Sequence, residues 1–281
     1  MPTPSTHFPA WAAISLATNG VLMATVSVLL WREGNWSPAV RADASVSTVR
    51  ETPVPQPTPT PEIGEKQHLS YEDWVAILEK EADAVAAEPP ERLYVLAGDS
   101  ISLWFPNELL PPGVTWLNQS ISGEGSGGLY KRLPLLDETK PEKIFVTIGI
   151  NDLLRGVDDE TILENHRKII KDILWIHPKA QVVVQSILPH SGENATWEGR
   201  EKLLAIPNSR IRNLNARLEA IAEVEGATYL DLYTLFSNDR SELRTDLSTD
   251  GLHLNRRGYE IWRTALIVFD AQHSQPSNSV E

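Results

Sequence analysis

The chain contains no cysteine. That excludes disulfides, thiol nucleophiles and cysteine-held metals, and it leaves the redox compartment open. Basic side chains are also scarce: Lys+Arg number 25 against 38 Asp+Glu, for a formal net charge of −13 and a sequence pI of about 5.0. No basic stripe runs through the sequence, so a phosphate-tracking surface and a nucleic-acid partner are not expected. The 7 histidines are scattered, and none falls in a His-Glu-x-x-His arrangement. Neither a metal nor a bound cofactor is expected.

Charge is missing altogether from residues 9–31, an apolar run of roughly 23 residues, long enough to span a bilayer as a helix. Trp11 and Trp31 lie near its ends, where indole rings favour the lipid–water boundary. The residues before it, 1–8, carry no Lys or Arg, unlike the basic start of a secretion signal. An uncleaved anchor is therefore expected, with the following domain on the extracytoplasmic side. Arg32, Arg41 and Arg50 bias the orientation the other way, a bias that a large domain can override. Residues 32–69 form a linker. Within it, Pro53, Pro55, Pro57, Pro59 and Pro61 alternate with other residues, which prevents a helix and favours an extended stalk.

Ser70 followed three residues later by Asp73 predicts a capped helix over 70–90, with Trp74, Ile77, Leu78, Ala82 and Val85 on one face and Pro89-Pro90 ending it. From Arg92 the pattern alternates. Strands are predicted near 93–97, 114–118, 144–149, 181–187 and 228–232, and helices near 129–136, 161–176, 209–224 and 257–269. This alternation implies a parallel sheet covered on both faces, with any site beyond the carboxyl ends of the strands. The domain is expected to span 91–271, followed by a loose polar tail over 272–281.

The first strand runs into Gly98-Asp99-Ser100. A serine hydroxyl is a poor nucleophile until a histidine takes its proton and a carboxylate holds that histidine in the right tautomer. Asp250-Gly251-Leu252-His253, far downstream, contains both partners. The second strand leads into Ser120-Ile121-Ser122-Gly123 and the third into Gly149-Ile150-Asn151-Asp152. Each stretch alone is ordinary turn chemistry. Together, after successive strands of a parallel sheet, they would open on one edge.

These four stretches resemble the SGNH, or GDSL, family of serine esterases and lipases. The resemblance implies a three-layer, flavodoxin-like α/β fold with a central parallel sheet. It also implies hydrolysis of carboxylic esters or thioesters through an acyl-enzyme on Ser100, with His253 as general base and Asp250 orienting it. Oxyanion donors would come from Ser100, Gly123 and the Asn151 side chain. Asp99 and Asp152 are read as turn-forming carboxylates. Small-molecule, lipid or carbohydrate esters are the implied substrates. The same triad would also serve a cell-wall or exopolysaccharide O-acetyl esterase or transferase, and an inactive, membrane-tethered binding protein would keep the scaffold alone.

Three local features remain. Residues 123–128 also satisfy Gly-x-Gly-x-x-Gly, a dinucleotide fingerprint, but not in the first strand–helix unit where it belongs. Trp104 and Phe105 follow the nucleophile and either line an acyl pocket or pack the core. Residues 188–206, rich in Pro, Gly and Asn and including Trp197, read as a substrate lid or a solvated connection.

Overall fold

A computed structural model describes residues 69–273. The expected anchor at 9–31, and the linker up to residue 68, lie outside the described residues, as do residues 274–281. Among the described residues, no helix is long and apolar enough to cross a membrane.

Five strands form one parallel sheet: β1 (Leu93–Gly98), β2 (Thr115–Ser120), β3 (Lys143–Thr147), β4 (Gln181–Gln185) and β5 (Thr228–Leu230), in the order β2-β1-β3-β4-β5. This is the flavodoxin-like order, with its switch point between β1 and β3. β1, the interior run Leu-Tyr-Val-Leu-Ala-Gly, is buried along its whole length, as a strand covered on both faces must be.

Strand alternation divides the core in two. Tyr94, Leu96, Phe145 and Val183 face one side, where they meet Trp262, Leu266 and Phe269 of the last long helix, α9 (Arg256–His273). Leu93, Val95, Ala97, Ile144, Val146, Val182 and Val184 face the other. There they pack on Leu129 of α3 (Ser126–Arg132) and on Ile169, Ile170 and Ile173 of α5 (Asp159–Ile176). α7 (Asn208–Val224) supplies Ile211, Leu214 and Leu218 to the first core and Ala222 to the second. The result is three layers, helices on both faces of a sheet.

α1 (Tyr71–Ala87) carries the expected capping box: Asp73 N–H donates to Ser70 Oγ at 3.1 Å, and Ser70 N–H to Asp73 Oδ2 at 2.9 Å. It docks beside β2, where Gln119 Nε2 donates to Leu78 O at 3.0 Å and Tyr71 Oη to Glu124 Oε1 at 3.0 Å. The last helix passes the expected domain end at 271. α9 runs on through Gln272 to His273, because the His273 ring stacks on Phe269 and bonds its carbonyl at 2.9 Å.

Candidate active site

Two helices of minimal length begin where their strands end: α2 (Ser100–Leu103) after β1, and α4 (Ile150–Leu154) after β3. Asp99 caps α2, its Oδ1 accepting from Ile101 N–H at 3.0 Å, so Ser100 becomes the first helical residue. The turn is pinned from two sides. Asn118 Nδ2 donates to Ser102 O at 2.9 Å, and Tyr259 Oη of α9 donates to Ile101 O at 2.8 Å.

The partner residues arrive on a tight loop. Asp250 Oδ1 accepts the backbone N–H groups of Leu252 (2.9 Å) and His253 (2.8 Å), while Ser248 Oγ accepts from Gly251 N–H at 2.7 Å and donates to His253 O at 2.6 Å. Asp250 Oδ2 is then free to take His253 Nδ1 at 2.7 Å, and His253 Nε2 lies 3.0 Å from Ser100 Oγ. Hydroxyl, imidazole and carboxylate therefore form one hydrogen-bonded row across 153 residues of sequence separation. Ser100 and His253 stay 6% and 7% exposed, near the surface but largely screened from water. Burial pushes the Asp250 carboxyl up, but the His253 ring and the two N–H groups outweigh it and hold the group below its ordinary range. With Asp250 ionised, the shared proton belongs on Nδ1, which leaves Nε2 to accept from the serine.

Three donors have no partner. Among the described residues, neither the Ser100 nor the Gly123 backbone N–H donates a hydrogen bond, and Asn151 Nδ2 is buried without an acceptor. A buried donor is normally paired, so the Asn151 amide hydrogen is one that a ligand oxygen could satisfy. Gly123 has φ +77, a conformation that favours glycine, and its carbonyl accepts from Arg155 Nη2 at the end of α4.

Other expected residues divide by environment. Asp152 receives Ser126 N–H at 2.7 Å and Ser126 Oγ at 2.8 Å, so it caps α3. Asp99 is fully enclosed, and burial pushes its carboxyl up to about 7, with Asp152 and Glu124 adding to the shift. Neither lies in the hydrogen-bonded row. Residues 188–206 are tied to the Asp250 loop. Ser191 N–H donates to Gly251 O at 2.9 Å, and Thr196 and Trp197 N–H donate to Asp250 O at 2.8 and 2.9 Å. The segment is a cradle for the Asp250 loop. Gly251, at φ +89, presses so closely that an added Cβ would lie 2.5 Å from Ala195 Cα. The adjacent aromatics part company: Phe105 is 2% exposed and in the core, whereas Trp104 is 49% exposed, with its ring 4.3 Å from that of His253.

Sequence reasoning missed Arg155 and the buried Glu124–Arg132 ion pair (2.6 Å) beneath the Gly123 turn. The one available signal for Arg155 is its spacing, four residues beyond Asn151 on a short helix. Among the described residues, no group of three or more His, Asp or Glu is placed to hold a metal ion.

Comparison with known proteins bears on the family and the fold. The model of the GDSL-like Lipase/Acylhydrolase family matches residues 98–261, from two residues before Ser100 to the second turn of α9. An arylesterase from Vibrio mimicus is 37% identical over 102 residues, 31% of this chain; the chain spans about half, 50%, of that curated relative's length. Among solved structures, a Streptococcus pneumonia protein provisionally named a platelet activating factor aligns with a TM-score of 0.62 at 23% identity, over 70% of this chain and 95% of that one. A GDSL-like lipase from Bacteroides thetaiotaomicron aligns at 0.58 and 20% identity, over 70% and 98%. At such identities the structural likeness concerns the fold. The family model, which covers more than half of the sequence and all four motif stretches, carries the assignment: this chain belongs to the GDSL-like lipase/acylhydrolase family.

Proposed function

We propose that the protein is a serine esterase that cleaves carboxylic esters or thioesters through an acyl-enzyme on Ser100. The observation that carries this reading is the unbroken row Ser100 Oγ, His253 Nε2, His253 Nδ1, Asp250 Oδ2, at 3.0 and 2.7 Å. As Ser100 Oγ attacks the carbonyl carbon, His253 Nε2 takes its proton, and Asp250 stabilises the imidazolium that forms. The carbonyl oxygen becomes an oxyanion. The Ser100 and Gly123 N–H groups and the Asn151 amide are its donors, each contributing about 2.7–4 kcal/mol to the transition state. Collapse of the tetrahedral intermediate breaks the bond to the leaving oxygen or sulfur, which receives the proton from His253. Water then attacks the acyl-enzyme, giving its proton to His253, and the acid departs as the serine is re-protonated. The name of the Vibrio mimicus relative supports a carboxylic ester as substrate.

The test is turnover of a short p-nitrophenyl ester together with covalent labelling by a fluorophosphonate. Wild type should turn over and label at Ser100. Ser100→Ala should keep its fold by circular dichroism, lose labelling, and lose at least about 10⁴-fold in kcat. A Ser100→Ala variant that hydrolyses at the wild-type rate would remove the serine from the chemistry.

A further inference from the structure

Trp104 is an indole that the fold does not use. Its backbone is fixed one turn after the nucleophile, with its N–H donating to Ser100 O at 3.1 Å. The ring nevertheless stays out of both cores, while the next residue, Phe105, packs on Tyr259 and Trp262. Two indoles of the domain are anchored, Trp116 Nε1 donating to Pro111 O at 2.9 Å and Trp262 Nε1 to Gln185 Oε1 at 2.7 Å, and Trp175, at 83% exposed, lies on the outer surface of α5; Trp104 is set apart by its place against the His253 ring. Among the described residues, Trp104 Nε1 donates to nothing. A ring that is half exposed costs free energy in water, because its apolar face goes unburied. Here that face lies on the rim of the site, with its centroid 4.3 Å from the His253 ring and the planes inclined at 39°.

The chemistry indicates which part of a substrate would meet it. His253 Nε2 must return its proton to the leaving oxygen, so that oxygen passes within hydrogen-bond reach of the imidazole. Whatever is attached to it extends along the imidazole side, where Trp104 stands. The acyl chain, attached to the carbon under attack, need not pass that way. Aromatic rings bind one another offset or edge to face, and such a pair contributes beyond the area it covers. Resting on the esterase reading above, we propose that Trp104 is the specificity residue for the leaving group, and that it selects esters of alcohols carrying an aromatic ring one carbon from the scissile oxygen.

The test uses the full chain and alcohols of similar intrinsic reactivity, so that leaving-group acidity does not imitate recognition. kcat/KM is measured for benzyl acetate, ethyl acetate and ethyl hexanoate with wild type, Trp104→Ala and Trp104→Phe. Wild type should favour benzyl over ethyl acetate. Trp104→Ala should lower that ratio about tenfold, Trp104→Phe should restore most of it, and the ratio of hexanoate to acetate should move less than about twofold. Equal losses on benzyl and ethyl acetate would overturn the inference, since Trp104 would then only orient His253. A change confined to the hexanoate ratio would overturn it too, by placing the indole on the acyl side. A wild type that neither hydrolyses any of the three esters nor labels with fluorophosphonate fails at the esterase reading itself, and the inference falls with it.

Discussion

The turn after β1 and the loop at residues 248–254 each set a carboxylate close in sequence to a reacting side chain, and they treat it in opposite ways. Asp99, next to Ser100, is 1% exposed; the Ile101 N–H and, more weakly, the nearby Asn151 amide favour its charged form. Burial dominates, and its carboxyl is pushed up to about 7. Asp250, three residues before His253, keeps a quarter of its side chain exposed (25%) and accepts two N–H groups and the imidazole. Donors outweigh burial there, and the carboxyl is held low. Proximity to Ser100 thus does not place a carboxylate in the hydrogen-bonded row. What decides is the count of donors that favour its charged form against the water it has lost.

The largest effect that could break this contrast is kinetic. Asp250→Asn should lower kcat by about 10³–10⁴-fold, because an amide cannot hold His253 in the Nδ1–H tautomer. Asp99→Asn should cost less than about tenfold, because the amide oxygen can still cap α2. Steady-state kinetics on one ester decides it, and equal losses would erase the distinction between the two regions.

A smaller effect concerns how each region is held. The Asp250 loop depends on Gly251, whose φ is +89 and whose missing Cβ would meet Ala195. Gly251→Ala should lower stability by about 2–4 kcal/mol in urea titration, combining left-handed strain with overpacking. A loss under about 1 kcal/mol would mean that residues 188–206 can yield, and that the cradle is looser than its hydrogen bonds imply.

The smallest effect is a slope. Asp99 has a folded pKa of about 7, above its unfolded value near 3.9. Between those pH values the folded chain keeps a proton that the unfolded chain has released, so its contribution to stability falls as pH rises through the window. His166, fully buried and pushed down to about 4, acts the other way, its contribution falling as pH drops from about 6.5. Asp250, held low, contributes above the ordinary carboxylate range and loses that contribution as pH falls through its folded value. Asp99→Asn presents the same acceptor with no proton to lose. The difference in stability between variant and wild type should therefore grow in favour of the variant from about pH 4 to 7. Denaturant midpoints at several pH values would check it, and a difference independent of pH would mean that Asp99 is ionised throughout.

Strand positions were legible because doubly covered strands are apolar without interruption, and each observed strand overlaps its predicted range. Helix α3 begins three residues earlier than its apolar pattern, at Ser126, because Asp152 from another motif caps it. No periodicity encodes that. The role of residues 188–206 was illegible for a related reason: the cradle is made by the main chain of Ser191, Thr196 and Trp197, and backbone donors leave no mark in the residue types. Trp104 and Phe105 were indistinguishable as neighbouring aromatics, since only the direction of α2 sends one inward and the other over His253.

The sequence by itself determined the parallel α/β architecture, the family and the list of side chains able to do the chemistry, because these depend on local periodicity and on residue types in short motifs. Tertiary structure alone decided which carboxylate meets the imidazole, which donors stay unpaired and which aromatic borders the site. Those outcomes rest on burial and on contacts between segments far apart in the chain, and burial sets the strength of every charge and hydrogen bond in the site.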